Sequence, residues 1–419
     1  MPIFTLAWKS LLNRRFTATV TIISIALSVT LLLGVERIRK ETRTSFVNTI
    51  SGTDLIIGAR SGPVQLLLYS VFHIGNATNN ISWKSYEEII NHPSVAWSVP
   101  ISLGDSHRGF RVIGTTTEYF QRYRFSGGQS LELIEGKPFS DLYDTVLGAE
   151  VAEKLGYKLG DKIIIAHGAA DVSFARHDDK PFQVAGILKR TGTPVDQAVH
   201  VSLEAIEAIH VDWKSGAPIP GISISAEQTR KMALQPEVIT AALIGLKSKI
   251  ATFKVQRSVN DYRKEPLTAI LPGVALSELW QLIGVAEKAL LVISAFVVVV
   301  GLFGMLTALL TSLNERRREM AILRSIGARP GHIFVLIIGE AGFITLLGVG
   351  VGFTLLYLLL LVAQPIIETQ IGIHIAIGAP SSYELGLLGA VILAGFLAGI
   401  VPGYRAYKQS LADGLSVHL

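Results

Sequence analysis

The sequence predicts an α-helical membrane protein with four transmembrane helices and a large extracytoplasmic α/β (α+β) domain between the first two. Three observations predict this: 49% hydrophobic residues with a mean hydropathy of +0.45, four long runs almost free of charge, and one long segment of mixed patterning after the first run.

The runs come first. Phe16 to Val35 is 20 residues without a charge, enough to cross the roughly 30 Å hydrocarbon core as a helix. Ala289 to Leu313 gives 25 uncharged residues, Ile333 to Ala363 has Glu340 as its only charge, and Leu385 to Tyr404 gives a further 20. The first run follows Lys9, Arg14 and Arg15 as a signal peptide would. It is longer than the usual apolar core of about 7–15 residues and no small-residue cleavage site follows, so it reads as a retained signal anchor.

Charge placement sets the expected topology. Ten of the 38 Lys and Arg lie outside residues 36–288: Lys9, Arg14, Arg15, Arg316, Arg317, Arg318, Arg324, Arg329, Arg405 and Lys408. All flank the runs on one side, while the loop 364–384 on the other side has none. The positive-inside rule then puts both termini and the Arg316 loop in the cytoplasm. Residues 36–288 carry 28 basic and 27 acidic residues, so the net charge of +5 is a topology signal and a nucleic-acid reading loses its basis. The chain has no cysteine, which excludes disulfides, thiolate catalysis and thiolate zinc sites.

Boundaries follow: 1–35 amphipathic lead-in and first span, 36–288 outer segment, 289–313 second span, 314–332 cytoplasmic helix, 333–363 third span, 364–384 short outer loop, 385–404 fourth span, and 405–419 tail. Within the outer segment, helices continuing from residue 36 toward Ile50 and from Val274 to Lys288 predict a stalk. Between them, strand–helix–strand patterns at 52–125 and 238–272 read as one split α/β subdomain. It is interrupted by an insertion, 126–237, with strands Lys162 to Ala166 and Phe182 to Leu188 and helices near Glu150 and Glu204.

Asn314 to Arg329 reads NERRREMAILRSIGAR, a short basic helix with Met320, Ile322, Leu323 and Ile326 as its apolar positions and Gly327 as its stop. An ordinary span-flanking loop explains the arginines, but neither the interleaved Glu315 and Glu319 nor the apolar ridge. This stretch closely resembles the cytoplasmic loop of FtsX/MacB-type ABC transporter permeases, with the pattern E-R-x-x-E-[IM]-A-[IL]-L-[RK]-x-[IL]-G-A. Ala7 to Leu11, Glu135 to Asp161 and Pro402 to Gly414 resemble the same family.

The resemblance implies a four-span permease with a MacB-type periplasmic core, dimeric with itself or a related subunit, and serving two copies of a separate ATP-hydrolysing subunit. ATP and Mg would enter through that partner, with no cofactor bound directly and no catalysis by this chain. Coupling to the ATPase is carried to Glu315, Arg316, Arg318, Glu319, Met320, Arg324 and Gly327. With fifteen residues before the first span and no fused ATPase, the layout is closer to LolC, LolE and FtsX than to MacB. The expected work is mechanotransmission for export or release of lipoproteins, peptides or amphiphiles, with possible periplasmic partners an adaptor, a lipoprotein or a hydrolase. The competing readings are FtsX-like signalling to a cell-wall hydrolase and a metal-related assembly.

Other signals are weaker. Phe125 to Gln129 (FSGGQ) is one residue from an ABC ATPase signature, but the sequence holds no phosphate-cradling Gly-x-x-x-x-Gly-Lys loop, so a turn is expected. His167 and His177, near Asp171, Asp178 and Asp179, are candidate metal ligands without a recognised spacing. Glu340, about two turns from the cytoplasmic end, is expected to be structural or coupling more than proton-conducting. Gly348 and Gly352, and Gly395 and Gly399, form small-x-x-x-small pairs for helix packing, within the subunit or across a dimer. The apolar Gly62 to Ile74 reads as core ahead of a lipid-gripping surface.

Overall fold

Leu55–Ala59 (β1) is apolar at almost every position and wholly buried, the signature of a strand covered on both faces. It sits in a mixed sheet that organises everything between the first and second long helices. The computed structural model describes residues 15–49, 51–167, 175–214, 217–219, 224–325, 327–371 and 377–408. The expected lead-in helix, with Ala7 to Leu11, lies outside them. They fall into two units: an α/β unit from Thr42 to Ile283, with 367–374, and a helical unit of the chain up to Glu41, Gly284–Ile366 and Ile375 onward.

The α/β unit runs β1, α2 (Pro63–Val71), α3 (Trp83–Ile90), β2 (Val95–His107), β3 (Phe110–Thr115), β4 (Leu133–Gly136), β5 (Asp144–Leu147), α4 (Ala149–Leu155), β6 (Phe182–Leu188), β7 (Ala198–Ser202), α5 (Leu203–His210), β8 (Ala241–Leu246), α6 (Thr252–Asn260) and β9 (Leu267–Ile270), with α1 (Arg15–Thr49) before β1. The main path of the sheet is β9-β1-β8-β2-β3-β7-β5-β6-β4, with three short strands paired alongside.

Five of these strands come from the split segments and four from the insertion. They join where β3 and β7 pair in parallel, Arg111 opposite Ala198 through Thr115 opposite Ser202, so both segments share one sheet. Helices start where side chains satisfy free backbone donors: Ser82 accepts from Ser85 N–H ahead of α3, and Ser202 from Ala205 N–H ahead of α5.

Alternation along β1 assigns the faces. Ile56 packs with Leu66, Leu67 and Phe72, whereas Leu55 and Ile57 pack with Tyr86, Ile89, Val255 and Val259 of α3 and α6. The apolar stretch after Gly62 is therefore core through Leu66, Leu67 and Phe72, each contributing roughly 1.5–3 kcal/mol by leaving water. The FSGGQ segment is the turn of a short hairpin, Arg124–Phe125 with Gln129–Ser130. Ser126, Gly127 and Gly128 all take positive φ (44°, 77° and 115°), a conformation that the two glycines accept without cost.

The helical unit holds most of α1, the later part of α7 (Pro272–Glu315), α8 (Arg317–Ser325), α9 (Pro330–Ile371), α10 (Ser382–Ala398) and α11 (Ile400–Lys408). Four stretches are long and apolar enough to cross a membrane: Arg15–Glu41, Pro272–Leu313, Pro330–Gln364 and Ser382–Lys408. Phe296, Val300 and Phe303 on α7 are each more than 60% exposed, as suits helices whose solvent is hydrocarbon.

The glycine pairs set how closely the helices approach. A Cβ on Gly352 would stand 2.5 Å from the Ala26 carbonyl oxygen, and one on Gly348 2.7 Å from Ile25 Cβ, so both face α1. Gly395 and Gly399 lie against Thr345 and Ala341 of α9. All four approach helices of the same chain. Hydroxyls add cross-links, with Thr30 donating to the Gly352 carbonyl at 2.9 Å and Ser28 to the Val297 carbonyl at 3.2 Å.

Candidate coupling site

The connection between the second and third membrane helices turns tightly on Arg316. Its N–H still bonds the Ser312 carbonyl at 3.1 Å, and its own carbonyl accepts from Met320 N–H at 3.0 Å, so helical bonding passes from α7 into α8 with a change of course. At the far end, Gly327 adopts φ +100°, Ala328 N–H bonds back to the Leu323 carbonyl, and Pro330 opens α9. The short helix is thus punctuated at both ends by the residues the sequence supplies for it.

Arg316 is the hub. It is 6% exposed, and Nη1 donates to Glu340 Oε2 at 2.7 Å while Nε donates to Glu319 Oε2 at 3.2 Å. Glu340 is 3% exposed and lies ten residues into α9, about 15 Å along its axis. A lone carboxylate there would be costly; with the guanidinium it becomes a neutral, hydrogen-bonded pair. Beside it opens a cleft of about 30 Å³, lined by Thr17, Thr21, Met305, Ser312, Glu340 and Ile344, with room for a water or two.

Apolar contacts complete the attachment. Met320 of α8 packs with Leu313, Ile333, Ile337 and Ala406, joining α7, α8, α9 and α11. Arg324 Nη2 donates to the Tyr407 carbonyl at 3.1 Å near the C-terminus of α11, where a cation suits the exposed carbonyls. The buried edge of α8 is Met320 with Ala321. Ile322, expected on the apolar ridge, is 47% exposed, because two residues of helix turn it about 200° away from Met320. Glu319 is also on the exposed side. The side chains of Glu315 and Arg318, and all of Ile326, lie outside the described residues.

A second buried arginine at the opposite end of the helical unit was not singled out by sequence. Arg37 of α1 donates to Tyr357 Oη at 3.0 Å and to the Gly378 carbonyl at 2.7 Å, with Glu384 at 3.8 Å. Glu384 in turn closes a capping box with Ser381 at the start of α10. The signal available was the Glu36-Arg37 pair that closes an apolar run, which reads as span-flanking.

In the α/β unit, His177 is fully buried, its ring 4.4 Å from that of Trp213 and 5.2 Å from that of His210; the side chain of His167 lies outside the described residues. His200 is buried against Tyr119 and Phe120, and desolvation pushes its pKa down to about 4, holding it neutral. Among the described residues no group of three or more metal-ligating side chains converges.

Comparison with known proteins places this geometry in context. The FtsX-like permease C-terminal family model matches residues 291–411, and the MacB-like periplasmic core domain model matches residues 18–241. An ABC transporter permease of Methanocaldococcus jannaschii is 26% identical over 87% of this chain and 91% of its own length. The lipoprotein-releasing system transmembrane protein LolC of Neisseria meningitidis is 22% identical over 70% of this chain and 68% of its own. A probable syringafactin export ATP-binding/permease protein of Pseudomonas syringae is 22% identical over 84% of this chain but 50% of its own length.

Proposed function

The chain belongs to the MacB/FtsX family of ABC transporter permeases, and from that premise we propose that it passes force from a separate ATPase to its outer domain to export or release an amphiphile, lipoprotein or peptide. The cargo class follows the relatives, among them a lipoprotein-releasing protein and an exporter, and the ATPase partner follows from membership in an ABC permease family.

One observation carries the reading. Arg316 clamps the α8 segment to α9 through Glu340, inside the bundle, while Ile322 and Glu319 face outward. A push on the outward face of α8 therefore reaches a spanning helix through a buried ion pair, with little slack in which to dissipate. In this reading α8 and both termini face the cytoplasm, following the positive residues beside the spans, and the α/β unit works on the other side. Two copies of the chain, or this chain and a related one, would meet two ATPases. Glu315, Arg318, Glu319 and Arg324 would form the contact surface, with Arg316, Met320 and Gly327 holding its shape.

The test is charge reversal at Arg318→Glu with Arg324→Glu in a complex reconstituted with the cognate ATPase. Membrane insertion is expected to be normal and stimulation of ATP hydrolysis lost. Normal stimulation by the double variant would remove the coupling assignment.

A further inference from the structure

Three spanning helices bring polar side chains to one spot inside the helical unit. Thr17 and Thr21 stand four residues apart on α1, Ala308 and Ser312 four apart on α7, and Glu340 and Ile344 four apart on α9. At that spacing each pair shares one helix face, and all six line the cleft beside the Arg316–Glu340 pair. Polar groups at membrane depth gather where they meet one another or water, and here four of them meet.

The hydrogen bonds around the cleft say which ligand suits it. Thr21 Oγ1 gives its hydrogen to the Thr17 carbonyl at 2.8 Å, and Ser312 Oγ gives its own to the Leu309 carbonyl at 2.9 Å. Both oxygens therefore offer lone pairs to anything in the cleft. Glu340 uses Oε2 for Arg316, whereas a carboxylate can accept about four hydrogen bonds. A ligand for this set donates hydrogen bonds, carries no charge because the ion pair is already neutral, and fits about 30 Å³. Water meets all three conditions, and a monovalent cation fails the second. A buried water needs roughly 10–15 Å³ and about two to four polar partners, which Thr17, Thr21, Ser312 and Glu340 supply.

We propose that this cleft is a water-binding site, and that its water is a working part of the joint between α8 and α9. The inference rests on the coupling reading of α8. A dry ion pair resists turning, because any bond it gives up in the apolar bundle has no replacement. Water held by Thr21, Ser312 and Glu340 supplies the replacement, so the guanidinium can swing about the carboxylate while the network stays closed. The water thus lets the joint turn without letting it part.

The chain has no cysteine, so a single introduced thiol reports alone. Ala308→Cys puts one in the cleft wall, and Thr307→Cys puts one on an exposed part of α7 at nearly the same depth. The full chain in lipid nanodiscs is treated with silver nitrate in chloride-free buffer, and thiols left unreacted are counted with a fluorescent maleimide after denaturation. Silver ion is close to water in size and does not enter hydrocarbon, so Ala308→Cys should react roughly tenfold faster than Thr307→Cys or more. Equal rates, or a slower Ala308→Cys, overturn the site. The second arm is Ala308→Val, whose added methyl groups fill the cleft, reconstituted with the cognate ATPase. Stimulation of ATP hydrolysis should fall about fivefold or more while thermal stability holds. Thr21→Val keeps the shape but removes one oxygen, and should lower stimulation in the same direction. Normal stimulation by Ala308→Val, or by Thr21→Val should the first variant not fold, overturns the role given to the water. The silver arm needs no ATPase, so a failure of the coupling reading and a failure of the water site are told apart.

Discussion

At one end of the helical unit the buried Arg316 belongs to a turn between two helices and is held by two carboxylates, Glu340 and Glu319. At the other end the buried Arg37 lies inside the continuous α1 and bonds a phenol, a backbone carbonyl and, at longer range, Glu384. Both cations are screened from solvent, yet their attachments differ in kind. Arg37 ties α1 to α9 and to the segment entering α10. Arg316 ties one long helix to a nine-residue helix with an exposed outer face. In the proposed coupling the first is a rivet and the second a hinge pin, through whose bonds a displacement of the short helix would reach α9.

The largest effect expected from this contrast is at Glu340. Glu340→Ala leaves Arg316 buried without its main partner, and breaking a buried pair costs about 3–5 kcal/mol. The variant should show a clear loss of thermal stability in detergent. The double variant Arg316→Met with Glu340→Leu replaces the pair by apolar groups of similar volume, so stability should return while stimulation of the ATPase does not. Stimulation by the double variant would make the pair a rivet as well, and the contrast would vanish.

Arg37→Ala comes next. It removes hydrogen bonds from a charged donor, worth about 1.5–3 kcal/mol. Thermal stability should fall by that order, while stimulation per folded molecule stays at the wild-type level. Loss of stimulation without loss of stability would show that force also passes through the Arg37 end.

How far this was legible in sequence depends on how each contact is encoded. The spans were legible because hydrocarbon demands uninterrupted apolar runs. Glu340 was legible as the lone charge in one of them, but its partner was not: Arg316 stands 24 residues away across a reversal of the chain, among neighbouring arginines that look alike. Arg37 was passed over because a cation after an apolar run is the usual mark of a span's end, and its main acceptor, the Gly378 carbonyl, has no side-chain signature. The sheet showed the converse. Alternation and caps marked individual strands and helices, but the parallel pairing of β3 with β7 spans more than 80 residues and appears in no local pattern. The basic helix was recognisable from its spacing, whereas the outward turn of Ile322 required the helix to be seated against its neighbours.

The smallest expected effect concerns the packing that keeps both ends in register. Gly348 and Gly352 are legible as small residues, but a glycine says nothing of what approaches it; the answer is the backbone of α1 around Ala26. Gly352→Ala would force its Cβ to within 2.5 Å of the Ala26 carbonyl oxygen, beside the bond from Thr30 to the Gly352 carbonyl. Backbone gives way less readily than a side chain, so overpacking should cost about 1–3 kcal/mol. Gly389→Ala is the matched control, since its Cβ would meet nothing within 4 Å, and gaining a better helix former should leave stability unchanged or slightly higher. Thermal unfolding of the two variants side by side separates close approach from helix propensity. Equal stability would mean that α1 and α9 part easily, and Arg37 would then have to hold its end of the bundle without a tightly packed α1–α9 seam beneath it.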